Sequence, residues 1–413
     1  MHGIKRIALV TAALFLMAAG AVVNGAQLYF MAALLLCLPC VSYVVARQSL
    51  RTIHVARDVP ASGWEDEVAT FHLVISSRSP LPKLMLQMRD NLPAWLEQDP
   101  HDDGYFDLPA STELRLPYAV RLAKRGLYQL GDVSILAHDP LGLFTISRTW
   151  HARAELVVYP VPQPLPSMSL VGSDRYGSFD VPHTVIHGSG TDPDGVRQYQ
   201  AGDSLRRIHW KSLARTGALN VVEFEEDLLL HVVMVLDTTA GVDPDGGPDS
   251  AFEYLVRMAA SLGEAAVCSG ATFRLIAGPP HQAEVSGRGR PHLFSVLDSL
   301  ARVSVDSEGP PISRELFARI GAPNRGASIV LLTAETDPAL PAALARYAAA
   351  GVQVTVVYAD SRTFDLRARA PAAATQRAFV DALLASQVSV YLLGRDEGRR
   401  LAPERLHGSS VFV

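Results

Sequence analysis

Charged residues are scarce in this chain: they make up 19% of its 413 residues, and the formal net charge is only −5. A domain that binds nucleic acid carries a strongly basic surface, so this balance argues against a nucleic-acid partner. Cysteine is scarcer still, with three residues and no framework spacing. This odd number argues against a secreted disulfide scaffold, and we expect the three cysteines to be inert.

Known catalytic motifs are also missing. The sequence contains no HExxH, no paired Cys/His zinc spacing, no GxxxxGK[ST] phosphate loop and no GxSxG nucleophile elbow. We therefore expect no catalytic residue. The chain has instead 48% hydrophobic residues, which for this length indicates a membrane segment together with two or three globular domains.

No charged residue occurs between Arg6 and Arg47. Residues 7–23 and 28–46 are nearly continuous apolar runs, separated by the turn-forming pair Asn24-Gly25. As helices they would be roughly 26 Å and 28 Å long at about 1.5 Å per residue, near the hydrocarbon thickness of about 30 Å. Residues 1–50 are therefore predicted to form two N-terminal transmembrane helices in a hairpin.

Basic residues flank both ends of this hairpin. Lys5 and Arg6 precede the first run, Arg47 and Arg51 follow the second, and the turn carries no charge. The positive-inside rule predicts a multi-pass protein of the inner (cytoplasmic) membrane whose soluble domains face the cytoplasm. Two alternatives stay open: a cleavable signal peptide ending near residues 18–20, and an envelope factor with its domains outside.

Residues 51–158 alternate with period two and are interrupted by proline and glycine. Phe71, Leu73 and Ile75, for example, are spaced to share one face of a strand. Short strands of this kind predict an all-β immunoglobulin-like sandwich over 51–158. Residues 159–187 are rich in Pro, Gly and Ser and predict an extended linker.

Residues 228–413 show a different pattern, in which apolar strands alternate with amphipathic helices up to a final strand at 388–393. This alternation predicts an α/β doubly wound, mostly parallel sheet. In such sheets ligands bind at the carboxyl ends of strands. Asp237 and Thr239 directly follow the first strand and are therefore candidate binding residues.

The segment Asp-x-Thr-x-Gly at 237–241 resembles the metal-coordinating Asp-x-Ser-x-Ser of von Willebrand factor A domains. The resemblance implies a von Willebrand factor A-like domain over 228–413, with Asp237 and Thr239 as oxygen ligands for Mg²⁺. Gly241 replaces the last hydroxyl, and Thr333-Ala334-Glu335 stands where Thr-Asp-Gly is expected. We therefore expect no cofactor and treat Asp237 and Thr239 as a degenerate metal site.

The densest polar segment is residues 195–215, GVRQYQAGDSLRRIHWKSLAR, which could be extended or helical around residue 209. One interpretation is an anion or partner site, because forked guanidiniums and a lysine can hold a phosphate or carboxylates. The other is an internal ion-pair network with nearby acidic residues such as those at 223–227. Its candidate residues are Arg197, Asp203, Arg206, Arg207, His209, Trp210, Lys211 and Arg215.

Three segments together resemble the DUF58 family of bacterial membrane-associated proteins. They are the strand entry KRGLYQLG at 124–131, the corner HDPLGLF at 138–144, and the signature segment at 188–227. We expect the corner to end a sandwich strand, because its Asp can bond the following backbone and its Pro presets φ. The alternative is a recognition surface.

The DUF58 resemblance implies a non-catalytic protein-binding scaffold or adaptor. Such proteins are often encoded beside a MoxR-type AAA+ ATPase, so the implied partners are that ATPase and membrane lipid, with an unknown client. The implied role is assembly or maturation of envelope or other protein complexes. An alternative is a metal-dependent hydrolase or phosphate-handling enzyme that uses Asp237 and the Arg/His/Lys residues of the signature segment.

Overall fold

The computed structural model describes residues 2–98, 104–165, 187–199, 208–225, 231–239, 247–278, 283–306, 309–321, 327–364, 373–396 and 399–406. The chain divides into two compact units, Met1–Tyr159 and Pro160–Val413. Most of the predicted linker at 159–187 lies outside the described residues, and the predicted domain boundaries stay predictions.

Two long helices begin the first unit: α1 (His2–Val23) and α2 (Ala26–Ser49). Both are long and apolar enough to cross a membrane. The chain reverses at Asn24, which has a left-handed φ of 57°, and Gly25 is the N-cap of α2. The predicted pair of apolar helices joined at Asn24-Gly25 is confirmed, and each helix extends beyond its apolar run into polar residues.

Two sheets complete the first unit. A four-stranded sheet has the order β1-β3-β7-β5, and a five-stranded sheet has the order β2-β9-β8-β4-β6. Pairing is antiparallel except between β2 and β9, which run parallel. The strands are β1 (Ile53–Asp58), β2 (Ser62–Trp64), β3 (Val68–Ser77), β4 (Lys83–Asp90), β5 (Leu96–Gln98), β6 (Tyr105–Leu108), β7 (Glu113–Leu122), β8 (Gly126–His138) and β9 (Thr145–Tyr159).

The two sheets share one hydrophobic core. Alternate residues of β3, namely Phe71, Leu73 and Ile75, pack there with Ile135 of β8, as the period-two pattern predicts. The predicted corner between β8 and β9 is also confirmed. Its carboxylate at Asp139 accepts hydrogen bonds from the backbone N–H groups of residues 141 and 144, at 3.1 Å and 2.6 Å.

A buried ion pair connects the two sheets. Arg57 of β1 contacts Asp90 of β4, and both side chains are 0% exposed. The Arg57 Nη1 also donates to the carbonyl oxygens of Gly131, at 3.1 Å, and Ala152, at 2.9 Å. Tyr118 donates its hydroxyl to the other oxygen of Asp90 at 2.6 Å. The polar atoms of the pair are thus held mainly by one another and by backbone.

The second unit contains a hairpin and a seven-stranded sheet. β10 (His187–Gln198) and β11 (Asn220–Glu225) pair antiparallel, and α3 (Trp210–Thr216) lies between them in sequence. The remaining elements are β12 (His231–Leu236), α4 (Ala251–Cys268), β13 (Thr272–Ala277), β14 (Ala283–Gly287), α5 (Arg290–Arg302), α6 (Ile312–Ile320), β15 (Ala327–Thr333), α7 (Leu340–Ala349), β16 (Gln353–Ala359), α8 (Ser361–Phe364), α9 (Ala373–Ala385), β17 (Ser389–Leu393) and β18 (Glu404–Arg405).

The large sheet has the order β14-β13-β12-β15-β16-β17-β18. Its five inner strands are parallel, whereas the edge strands β14 and β18 pair antiparallel. The expected mixed, mostly parallel α/β sheet is therefore confirmed. The expectation that residues 388–393 form the last strand is wrong, because β18 follows and covers that edge.

The position of β12 creates a topological switch point in the sheet. After β12 the chain adds β13 on one side, and it later adds β15, β16 and β17 on the other. The loops that leave the carboxyl ends of β12 and β15 therefore run in opposite directions, one toward the β13 side of the sheet and the other toward the β16 side. In open α/β sheets this switch point is where ligands bind.

Candidate functional site

The switch point brings Asp237, Thr239 and Thr333 together. Asp237 follows β12, and its backbone N–H donates to the carbonyl oxygen of Leu332 on β15 at 2.9 Å. One carboxylate oxygen of Asp237 accepts from the backbone N–H of Thr239, at 3.0 Å, and from its hydroxyl, at 2.6 Å. The other oxygen accepts from the Thr333 hydroxyl at 2.6 Å. The structure thus joins the two predicted residues and adds a third.

Three carboxylates lie close to one another at this edge. Burial raises the pKa of Asp237 above its ordinary value of 3.8, and the hydrogen bonds from Thr239 and Thr333 offset this only in part. Burial, followed by the neighbouring charges of Asp237 and Asp337, also raises the pKa of Glu335. Raised carboxyl pKa values indicate an environment that disfavours added negative charge.

These residues do not fit a divalent cation. A hard cation such as Mg²⁺ is held by several oxygen ligands in near-octahedral geometry, whereas both oxygens of Asp237 are engaged by hydroxyl donors of the chain. Within the described ranges, no group of three or more His, Cys, Asp or Glu side chains could hold a metal ion. We therefore derive no metal chemistry from Asp237 and Thr239.

The signature segment is described only in part. Arg197 lies in β10, opposite Val221 of β11. Asp203, Arg206 and Arg207 lie outside the described residues. The last four candidates are in or beside α3, which begins at Trp210; they are His209, Trp210, Lys211 and Arg215. The helical alternative therefore holds from Trp210 onward.

The start of helix α3 is attached to the β10–β11 hairpin. Ile208 forms an isolated antiparallel bridge with Val221, and both side chains are buried. The backbone N–H of His209 donates to the Asn220 carbonyl oxygen at 2.8 Å. At the other end, Gly217 has a φ of 69°, a left-handed conformation that favours glycine and ends the helix.

The outer side of α3 is exposed. Trp210 is 64% exposed, and Lys211 and Arg215, four residues apart, are exposed as well. Neither cation forms an ion pair with a partner in the part of the chain that the structure describes. Because Asp203 and residues 226–227 lie outside that part, the internal ion-pair network stays a prediction. The described geometry is an exposed indole with two solvent-facing positive charges on the same short helix.

Sequence reasoning did not identify Thr333 as a member of the polar cluster at the carboxyl ends of β12 and β15, which we call the carboxyl edge. The motif comparison considers Thr333 only as part of Thr333-Ala334-Glu335, which stands where Thr-Asp-Gly is expected. In the structure Thr333 ends β15, directly beside β12. The available signal was positional, since both apolar strands end in hydroxyl or carboxyl residues. Carboxyl ends of neighbouring parallel strands lie at the same edge of a sheet.

Comparison with known proteins finds a matching family model, a relative and similar solved structures. A family model described as "Protein of unknown function DUF58" matches residues 195–368. The uncharacterized protein YeaD of Bacillus subtilis is 25% identical over 315 residues, which cover 71% of this chain and 72% of that protein. Among solved structures, the SrpA adhesin of Streptococcus sanguinis is similar with a TM-score of 0.17 and 18% identity, over 29% of this chain and 66% of that one.

A further similar structure is a GH20 exo-β-N-acetylglucosaminidase from Vibrio harveyi. Its TM-score is 0.18 at 9% identity, over 75% of this chain and 57% of that chain. TM-scores this low carry no argument about the fold or the activity of the present chain.

Proposed function

Because this chain carries a DUF58 domain at residues 195–368, as its sequence motifs predicted, we propose that it is a membrane-anchored, non-catalytic protein-binding scaffold or adaptor. Its partner is a MoxR-type AAA+ ATPase, and its role is assembly or maturation of envelope or other protein complexes. The outer side of α3, with Trp210, Lys211 and Arg215, is the docking surface.

The exposure of Trp210 is the observation that carries this proposal. A side chain of this size, 64% exposed, leaves a large apolar area in water, and tryptophan and arginine are the residues most enriched at binding hot spots. The backbone that holds Trp210 is anchored by buried Ile208, so little ordering is needed on binding. Lys211 and Arg215 favour a partner surface that is apolar at its centre and acidic at its rim.

The carboxyl edge supports a binding role rather than catalysis. The polar groups of Asp237, Thr239 and Thr333 hydrogen-bond to one another instead of being directed at a substrate position. A catalytic base needs to reach the proton that it removes, and a nucleophile needs a neighbouring base. The hydrogen bonds around Asp237 stabilise the switch point, and exposed surfaces of the protein bind the partner.

The anchor is the helical hairpin α1–α2. Its length and apolar composition, together with the flanking Lys5, Arg6, Arg47 and Arg51, support a multi-pass protein of the inner membrane with both units in the cytoplasm. We also propose that the two sheets of the first unit are an immunoglobulin-like sandwich. The α/β sheet of the second unit is proposed to be von Willebrand factor A-like, a fold suited to protein binding.

The proposal is tested by co-purification of the full-length chain from its native membrane in mild detergent. Trp210→Ala is compared with Phe294→Ala, which removes another exposed aromatic side chain of the same unit, 57% exposed on α5. We expect the MoxR-type ATPase to be recovered with the unsubstituted chain and with Phe294→Ala but lost with Trp210→Ala. Equal recovery with both variants, or substrate turnover that Asp237→Ala abolishes, contradicts the proposal.

A further inference from the structure

The corner between β8 and β9 is bonded to the apolar hairpin. Asp139 is fully buried and accepts a hydrogen bond from the Ser42 hydroxyl of α2. It also accepts from the backbone N–H groups of Leu141 and Phe144. Burial alone would raise the pKa of Asp139, but the Ser42 and backbone hydrogen bonds outweigh it and hold the pKa below its ordinary value. The corner thus keeps an ionised carboxylate against α2.

The first helix contacts the same corner. The Nε of Arg6 donates to the carbonyl oxygen of Leu143 at 2.6 Å, and its guanidinium lies 4.4 Å from the ring centroid of Phe144. Tyr43 of α2 meets that ring edge-on, with centroids 5.5 Å apart. Contacts from both helices therefore fix the corner to the hairpin.

The end of α2 is held by the five-stranded sheet as well. Lys83, at the start of β4, donates its Nζ to the carbonyl oxygen of Gln48 at 2.7 Å. The indole of Trp150 on β9 donates to the carbonyl oxygen of Ile53 at 3.1 Å. These bonds connect strands β4 and β9 to the chain where it leaves the helical hairpin. The sheet therefore contacts the helices of this unit both at the corner and at the end of α2.

The level of these contacts along α2 places the corner near the lipid. The apolar part of α2 runs from Leu28 to Ala46, roughly 28 Å at about 1.5 Å per residue, which is close to a hydrocarbon core of about 30 Å. Ser42 lies four residues before Ala46, about 6 Å back along the helix axis. When α2 spans the bilayer, a group bonded to Ser42 therefore lies about 6 Å inside the end of the apolar run, next to the boundary between acyl chains and headgroups.

Apolar side chains project from the sheet at this level. Leu141, at the tip of the corner, is 46% exposed. On the neighbouring strand, Leu86 pairs with Ala137. The β4–β8 pairing stops at Leu86, and the two residues directly before it, Leu84 and Met85, are both exposed. We define the exposed residues Leu84, Met85 and Leu141 as the apolar edge.

Exposed basic residues lie at the ends of the helical hairpin and next to its exit. They lie at the start of α1, at the end of α2 and after β3, whose last residue Ser77 pairs with Ile53 at the hairpin exit. Such cations are attracted to an anionic membrane surface. The residues are Lys5, Arg6, Arg47, Arg51 and Arg78.

We propose that the apolar edge is inserted into the headgroup–acyl boundary of the bilayer, with these basic residues at anionic lipid headgroups. The partner of this surface is the membrane itself, and the first unit lies on the bilayer instead of being suspended above it by a linker. This inference rests on the proposed membrane anchoring by α1 and α2.

The test uses nitroxide labels on the full-length chain, in vesicles of phosphatidylcholine and phosphatidylglycerol. Cys37, Cys40 and Cys268 are first replaced by alanine, and Leu141→Cys then carries the reporting label. The matched control is Leu127→Cys, 40% exposed near the start of β8, which is 11 residues before His138 and thus roughly 36 Å away along the strand.

Collision rates with oxygen, which partitions into lipid, and with a water-soluble nickel complex give the depth of each label. Leu34→Cys, exposed on α2, reports on the anchoring itself. We expect a deep label at position 34, a boundary label at 141 and an aqueous label at 127. Met85→Cys on β4 replaces Leu141→Cys if that variant does not fold, with the same expectation.

The outcomes separate the two proposals. A deep label at position 34 with equally aqueous labels at 141 and 127 overturns the inserted edge and leaves the anchoring intact. An aqueous label at position 34 overturns the anchoring and the inserted edge together. Neutral vesicles that give the same depth at 141 as anionic ones overturn the role assigned to the basic residues.

Discussion

Replacing Arg57 by methionine is expected to destabilise the first unit strongly. Arg57 belongs to the strand that directly follows α2, and it connects the two sheets through Asp90 and two backbone carbonyl groups. Methionine keeps most of the buried volume but removes the charge and the donors. Asp90 is then left as a buried carboxylate whose remaining partner is the hydroxyl of Tyr118.

The expected magnitude follows from that burial. Breaking a buried ion pair by removing one partner costs about 3–5 kcal/mol, because the other charge is left uncompensated. At roughly 2–4 °C per kcal/mol for a unit of this size, Tm falls by roughly 6–20 °C. The control is Arg115→Met, which removes an ion pair with Asp58 whose side chains are 60% and 55% exposed. An exposed pair of this kind contributes about 0–1 kcal/mol.

The assay is differential scanning calorimetry of the full-length chain in detergent, with hydrogen exchange to assign the transition to the first unit. We expect a large decrease in Tm for Arg57→Met and a small one for Arg115→Met. The reasoning is refuted if the two variants shift Tm equally. Asp90→Leu combined with Arg57→Met is expected to recover much of the loss, since an apolar pair leaves no uncompensated charge.

Four further predictions concern single residues. Asp139→Asn or Ser42→Ala is expected to cost about 1.5–3 kcal/mol at neutral pH. Because the folded pKa of Asp139 is lowered, this loss should begin to decrease as pH falls below 3.8 and disappear once the folded carboxyl is protonated; a loss independent of pH contradicts the argument. Asp237 has a raised pKa, so its contribution to stability should decrease as pH rises above 3.8, and Asp237→Asn should flatten that dependence in a pH series of Tm. Asp237→Ala, which leaves the Thr333 hydroxyl without its acceptor, is expected to cost about 1–3 kcal/mol in urea unfolding, and an unchanged midpoint would count against it. Gly351, which follows α7, has a φ of 82°, so Gly351→Ala is expected to lower the free energy of unfolding by about 1 kcal/mol. Ala350→Gly changes the same turn at a residue with right-handed geometry and therefore tests it without that strain.

Much of the fold follows from local patterns in the sequence. The apolar runs on either side of Asn24-Gly25 determine the helices, and the alternation through Phe71, Leu73 and Ile75 determines one face of β3. In the second unit, continuous apolar strands alternate with helices of period 3.6. These signals are local, so the sequence alone is sufficient to identify them.

The elements that were missed are short or at edges. β14 at Ala283–Gly287 and β18 at Glu404–Arg405 are edge strands, whose composition is polar because one side faces solvent. Their pairing depends on a partner strand that is already in place. The nine-residue helix α6 was also missed, because a stretch of nine residues is too short for its periodicity to stand out.

The site was predictable only where residues follow a strand or a motif. Asp237 and Thr239 were found because they end β12, but Thr333 needed the neighbouring strand to be known. Ser42 and Asp139 are separated by 97 positions, and no pattern in the sequence relates a serine in an apolar helix to a distant corner. Long-range polar pairs of this kind depend on the order of strands in the sheet, which local periodicity does not determine.

The central claim is that the exposed side of α3 docks a protein partner. Its most direct test is the Kd between the full-length chain in lipid nanodiscs and the purified MoxR-type ATPase, measured for the unsubstituted chain, Trp210→Ala and Phe294→Ala. Loss of a hot-spot side chain costs about 2 kcal/mol or more, which is roughly a 30-fold increase in Kd. The account predicts that increase for Trp210→Ala with an unchanged Kd for Phe294→Ala; equal Kd values for all three chains would contradict it.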